Sequence, residues 1–201
     1  MRLYDHMDSG NGYKVRLLLH RQAIPFELVE VAIFEGESRR PEFLAKNPIG
    51  KIPLLELDNG ERLAESNAIL CYLAEGTPLL PASGLARARV MEWLFFEQYS
   101  HEPNIATIRS WLRHNLLDDL RRAMLPSRRE AGLWALGVME GRLAGHDWLA
   151  GEQFSIADIA LYAYTHVADQ AEFDLSPFPG IVAWLKRVAA QPGHVPIDWR
   201  P

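Results

Sequence analysis

The chain has a single cysteine, Cys71, among 201 residues, which excludes an internal disulfide and any cysteine-rich zinc centre. Its seven histidines are scattered, with no H-E-x-x-H or comparable ligand spacing, so no metal centre is expected. Basic charge is not in excess. Lys and Arg total 21 against 26 Asp and Glu, for a net charge of −5, and the two signs are interspersed. No broad electropositive face for a phosphate backbone results, and nucleic acid is excluded as an expected partner. Long apolar runs are missing too. No stretch approaches the roughly 18 uninterrupted apolar residues of a membrane span, and the start, Met1-Arg-Leu-Tyr-Asp-His, lacks the apolar run of a signal peptide. A cytoplasmic chain without membrane contact is expected.

What is present is the balance of a folded globular chain, 48% hydrophobic and 23% charged. Its length permits one large domain or two small ones, and the pattern along the chain selects two. Residues 2–5 read as a short strand, Ser9-Gly10-Asn11-Gly12 as a polar turn, and the stretch from Tyr13 to Arg21 as a helix stopped by Ile24-Pro25. Residues 26–31 alternate as a second strand. Pro41 opens a short helix, and residues 52–57 make a third strand. Asp58-Asn59-Gly60 is a hairpin turn into a fourth strand at residues 62–64, and a helix follows from Ser66 to near Gly76. The order is βαβ, helix, ββα, an α/β domain over residues 1–77. After a Pro/Gly-containing linker at 78–84 no strand-like alternation appears, so residues 85–201 are expected to be all helical, with helices near 84–114, 117–145, 156–171 and 178–191.

One late segment is a folding element. In Phe154-Ser155-Ile-Ala-Asp158, Ser155 and Asp158 have capping-box spacing and start a helix, with Phe154 and Ile159 placed to fix its direction. Loss of Asp158 is expected to cost on the order of 1 kcal/mol or more of stability. Cys71, between Leu70 and Tyr72 on a helical pattern, reads as a small buried hydrophobe, and Tyr4, inside the first strand, reads as core.

Three segments suit chemistry. The βαβ, helix, ββα order is the thioredoxin layout, whose first turn usually carries a C-x-x-C pair; here that turn is Ser9-Gly10-Asn11-Gly12. Any reactive sulfur must therefore arrive on a ligand. The Ser9 hydroxyl, turn N–H groups and the positive end of a helix all suit a thiolate. In Asn47-Pro48-Ile49-Gly50-Lys51-Ile52-Pro53, Pro53 stands at the start of a strand. A cis Ile52-Pro53 bond there turns the Ile52 N–H and C=O outward, able to pair with an extended peptide. Glu65-Ser66-Asn67 begins a helix, a natural site for a carboxylate at Ser66, with Glu65 beside it for an ammonium group.

These segments, in this order and with the late F-S-I-A-D cap, resemble the cytosolic glutathione transferase family over nearly the whole chain, and its serine-type bacterial members in particular. The resemblance implies a thioredoxin-like N-terminal domain with a mixed four-stranded sheet, an all-helical C-terminal domain, and a homodimer. It implies glutathione as co-substrate, no metal, and a detoxification chemistry in which the glutathione thiolate attacks a small hydrophobic electrophile. Ser9, or Asn11 two positions on, is then the residue at the sulfur. The Ile52 main chain beside Pro53 takes the cysteinyl unit, Glu65 and Ser66 the γ-glutamyl end, and Lys51 with Ser38 or Arg39 the glycyl carboxylate. Met7, His101, Ile105 and Arg109 are the residues it implies around the electrophile. A glutathione-dependent disulfide reductase or isomerase on the same site, and a non-catalytic binding or regulatory protein of this fold, are the alternatives.

Overall fold

The computed structural model describes residues 1–201. It divides into two compact units, Met1–Glu75 with Gln191–Pro201, and Gly76–Ala190.

In the first unit, β1 (Arg2–Asp5) lies between β2 (Glu27–Glu30) and β3 (Leu54–Glu56), and β4 (Arg62–Ala64) forms the far edge, giving the order β2-β1-β3-β4. β1 runs parallel to β2, and β3 runs antiparallel to both β1 and β4. Parallel pairing requires a crossover, supplied by α1 (Gly10–Arg21); the antiparallel β3–β4 pair needs only the Asp58-Asn59-Gly60 turn, where Gly60 takes φ +85°. The pleat sends alternate side chains to opposite faces. Tyr4 and Leu54 pack with Val31 and with Phe43 of α2 (Pro41–Leu44) on one face, the Tyr4 ring meeting Phe43 edge-on at 6.3 Å. Leu3 and its register partner Leu55 are fully buried on the other, and α1 packs against α3 (Ser66–Ala74). Tyr4 is thus core, as expected; Cys71 is only half-buried.

Two boundaries differ from the sequence pattern. α1 begins at Gly10, not Tyr13, because Ser9 is its N-cap: its side chain accepts from Gly12 N–H, so the small polar residues are the first helical turn. The tail at 191–201, expected with the helical domain, packs along α1 instead. Tyr13 Oη donates to the Val195 carbonyl at 2.6 Å, His20 Nδ1 to Gly193 O at 3.0 Å and Arg21 Nη1 to Pro192 O at 2.6 Å. The physical reason is that α1 offers a row of donors on one side and the tail, without secondary structure, has unpaired carbonyls to accept them.

The second unit holds α4 (Gly84–Phe96), α5 (Glu102–Arg113), α6 (Asp119–Leu143), α7 (Ile156–Thr165) and α8 (Pro179–Ala189). The helix expected over 84–114 is interrupted by a π-helical turn, Glu97–His101, whose wider winding buries both its end residues. Every residue of α7 is buried. Its start carries the expected capping box, and Asp158 does more than cap. Its carboxylate accepts from Ser155 N–H and Oγ–H, Leu149 N–H and Trp184 Nε1–H, at 3.0, 3.1, 3.1 and 2.9 Å. One side chain therefore fastens α7, the loop before it and α8.

Removing Asp158 strands four buried donors, so Asp158→Ala is expected to cost about 3 kcal/mol or more, well above the loss of a surface cap. Burial also pushes the Asp158 carboxyl up, to about 6 from 3.8. Since the folded value is the higher one, the folded chain holds a proton that the unfolded chain has released between those values. The stabilising contribution is thus full below about pH 4 and is lost as pH rises through about 6. In urea unfolding, the gap in stability between wild type and Asp158→Ala widens as pH falls from about 7 to about 4; a gap that is constant or narrows on acidification contradicts this.

Candidate functional site

The loop between β1 and α1 is anchored from below. Asp5 and Arg16 are both fully buried and form an ion pair, Nε to Oδ2 at 2.9 Å. His6 N–H donates to Asp5 Oδ1 at 2.7 Å, Arg16 Nη2 donates to the Met7 carbonyl at 2.9 Å, and Ser9 N–H closes the loop on His6 O at 2.8 Å. Burial pushes the Asp5 carboxyl up to about 7 against the pull of Arg16 and the His6 N–H. Gly12 is required here: a Cβ at that position would lie 1.6 Å from Asp5 Oδ1, so only glycine lets the first turn of α1 approach the end of β1.

Ser9 is held at the positive end of α1. Its Oγ accepts from Gly12 N–H at 3.2 Å, and its own hydroxyl proton is given to no group in the chain. An N-cap role and a donor role toward a ligand are therefore compatible: the lone pair serves the helix and the proton is left over.

The second segment is a tight loop organised by Asn47, which is 3% exposed. Its Nδ2 donates to Lys51 O at 2.8 Å, its Oδ1 accepts from Ile49 N–H at 3.2 Å, and its carbonyl accepts from Gly50 N–H at 2.9 Å. Gly50 takes φ +65° and abuts the Arg39 guanidinium and the Ser38 carbonyl, and Arg39 Nη1 donates to Ile49 O at 2.9 Å. Ser38 is buried and Lys51 exposed. Ser38 and Arg39 are thus brought against the backbone at Ile49 and Gly50, directly before Lys51. The Ile52–Pro53 bond is cis, and no loop hydrogen bond uses the Ile52 N–H or C=O.

The third segment is the start of α3. Glu65, its N-cap, is exposed and sits at φ 67°, ψ 113°, a conformation that costs a non-glycine residue roughly 1–3 kcal/mol and is found where function or packing demands it. Ser66 is buried, its N–H donates to no group in the chain, and its Oγ donates to Asn11 Oδ1 at 3.2 Å. Lys14 Nζ donates to the same Oγ at 3.3 Å. Ser66 and Asn11 are therefore in direct contact, joining the first segment to the third.

The residues expected around the electrophile fall elsewhere in their environments. His101 and Ile105 are fully buried and Arg109 is 4% exposed. His101 Nε2 bonds Thr165 Oγ1 at 2.9 Å and Arg109 Nε bonds Gln170 Oε1 at 2.8 Å. These three side chains are packed within the helical unit, with His101 at the end of the π-helical turn. Met7 is half-buried, with its N–H donated to Glu30 Oε1 and its carbonyl taken by Arg16. Sequence reading missed Asp5, Gly12, Lys14, Arg16 and Asn47. The available signal was the pair of cations at 14 and 16 inside the apolar Tyr13–Leu19 run, both fully buried here.

Comparison with known proteins agrees with this geometry. Family models match at residues 1–75 (glutathione S-transferase, N-terminal domain) and at residues 120–192 (glutathione S-transferase, C-terminal domain). Glutathione S-transferase 3 of Zea mays is 34% identical over 96% of this chain and 90% of its own length. The disulfide-bond oxidoreductase YfcG of Escherichia coli is 31% identical over 92% of this chain and 88% of its own. The crystal structure of a glutathione S-transferase from Pseudomonas fluorescens superposes with a TM-score of 0.94 at 49% identity, covering 98% of both chains. With the sheet order, the cis-proline loop, the Glu65-Ser66 helix start and the late capping box in place, these matches show that the chain belongs to the glutathione S-transferase family.

Proposed function

We propose that the protein is a glutathione transferase that holds the glutathione thiol as a thiolate for attack on a small hydrophobic electrophile. The observation that carries this is the Ser9 hydroxyl: fixed at the positive end of α1 by Gly12 N–H, with its proton uncommitted. A free thiol of pKa about 8.5 is only a few per cent ionised at neutral pH. One charge-assisted hydrogen bond contributes roughly 1.5–3 kcal/mol and the helix terminus about 0.3–1 kcal/mol. At about 1.4 kcal/mol per pKa unit, together they lower the thiol by about one to three units, and a lowering of about two units or more makes most of it anionic at neutral pH. The proton leaves to solvent; the sulfur lone pair forms the new bond to carbon as the electrophile's leaving group departs or its double bond takes up the electrons. In this reading the Ile52 main chain pairs with the cysteinyl unit, Ser66 N–H and Glu65 take the γ-glutamyl end, and Lys51 with Arg39 and Ser38 meets the glycyl carboxylate.

Similarity to a disulfide-bond oxidoreductase supports a second reading on the same site. There the thiolate attacks a disulfide sulfur, expels a thiolate, and a second glutathione resolves the mixed disulfide. An aryl halide, a small disulfide and an unsaturated keto-acid, each with glutathione, separate conjugation, reduction and isomerisation. The proposal includes a homodimer, supported by the exposed apolar side chains Phe95 and Tyr99, one helical turn apart, which lack cover within the chain; sedimentation equilibrium reads its mass.

The decisive measurement is an ultraviolet titration of the bound thiol. Ser9→Ala is expected to raise its pKa by about one unit and to lower conjugation at neutral pH about tenfold. Asn11→Ala, measured alongside, is expected to shift it less. An unchanged pH–rate profile in Ser9→Ala rejects Ser9, and no saturable glutathione binding by calorimetry rejects the function.

A further inference from the structure

Lys14 lies in the second turn of α1 and is fully buried, an expensive position for an ammonium group. Its Nζ donates to Ser66 Oγ at 3.3 Å. A lysine has donors only, so Ser66 Oγ accepts from it, and the one proton that Ser66 owns passes on to Asn11 Oδ1 at 3.2 Å. The bonds therefore run in one direction, from Lys14 through Ser66 to Asn11. In such a chain each donor polarises the next, which makes the Ser66 O–H a stronger donor than an isolated serine hydroxyl. Ser66 is also the first residue of α3, with its N–H uncommitted at the positive end of that helix. A polarised hydroxyl and a free helix-terminal N–H on one residue suit a carboxylate.

We infer that Lys14 is a positioning residue that, acting through Ser66, makes the site select a peptide carrying an α-carboxylate at its γ-glutamyl end. The inference rests on the glutathione reading above. Lys14 holds the Ser66 lone pair inward, so that the hydroxyl proton has two acceptors open to it, Asn11 Oδ1 and the incoming carboxylate. The carboxylate, being charged, is the stronger of the two. Lys14 itself does not touch the peptide.

The test is a binding cycle by calorimetry with two peptides: glutathione, and γ-aminobutyryl-cysteinyl-glycine, which differs only in lacking that α-carboxylate. Lys14→Met keeps the length of the stem and removes the charge from a buried position, and folding is checked by circular dichroism. Lys14→Met is expected to weaken glutathione about tenfold and the decarboxylated peptide by less than about twofold. Ser66→Ala is expected to show the same selective loss, and adding Lys14→Met to Ser66→Ala is expected to weaken glutathione no further. Equal weakening of both peptides by Lys14→Met marks general damage to α1 and overturns the inference, as does equal weakening of both by Ser66→Ala. Should Lys14→Met not fold, Lys14→Leu takes its place in the same cycle, and equal weakening of both peptides by it overturns the inference. Wild-type protein that binds neither peptide overturns the glutathione reading itself, an outcome distinct from wild type that binds both peptides equally well, which overturns only the selection by Lys14 and Ser66.

Discussion

The Arg16 guanidinium is the fixed point of the first unit. Its Nε pairs with Asp5, its Nη2 holds the Met7 carbonyl, and its Nη1 holds the carbonyls of Ile197 and Trp199 at 2.6 and 3.1 Å. A strand end, the loop before α1 and the C-terminal tail thus meet on one planar cation, whose rigid fork of donors suits several acceptors at once. Two charges buried this completely carry a desolvation cost that their attraction does not clearly repay, so the pair is weak evidence for stability. What it supplies is definition: losing either partner leaves a charge buried alone, which costs about 3–5 kcal/mol, so the loop has one arrangement and Ser9 one position.

That constraint explains the small residues of the first turn. The fold places the end of β1 against the N-terminus of α1, and the Asp5 carboxylate occupies the space that a side chain at residue 12 would fill. Glycine there is a packing requirement, not an accident of a flexible turn. The helix can then begin at Gly10 and close over Asp5, with Ser9 as its N-cap. The Asn47 loop and Glu65 apply the same logic at two further points. A buried amide ties down the backbone before Ile52, and a residue held at positive φ turns the chain into α3, where Ser66 N–H is the first donor without a partner in the chain.

Much of this was legible in the sequence because it is written in local chemistry. Strand alternation, the Asp58-Asn59-Gly60 turn, Pro41 at a first helical position and the Ser155/Asp158 spacing each describe structure within a few residues, and each is present. The proline at 53 also announced its isomer, since a proline at the start of a strand needs a turn. What the sequence did not reveal depends on partners far along the chain. Arg16 finds Ile197 and Trp199, Asp158 finds Trp184, and the tail finds α1, none of which has a periodic signature. His101 shows the limit most plainly. It ends a π-helical turn, which a 3.6-residue pattern does not show, and its partner Thr165 lies 64 residues further along the chain.

The contact between Asn11 and Ser66 bears on how accurately a tripeptide can be held. In the proposed reading the sulfur end meets the start of α1 and the γ-glutamyl end meets the start of α3. Loops alone would leave the distance between those two points soft. Here the two helices pack directly on each other, and the side chains at their first turns are bonded, Ser66 Oγ to Asn11 Oδ1, with Lys14 bracing the same oxygen. The separation between the donor for sulfur and the donor for carboxylate is then set by helix packing, which tolerates far less displacement than a loop does. Positioning to within a fraction of an ångström is what turns a weak hydroxyl donor into an effective one, because a hydrogen bond to a thiolate lowers its pKa only while donor and sulfur stay in line.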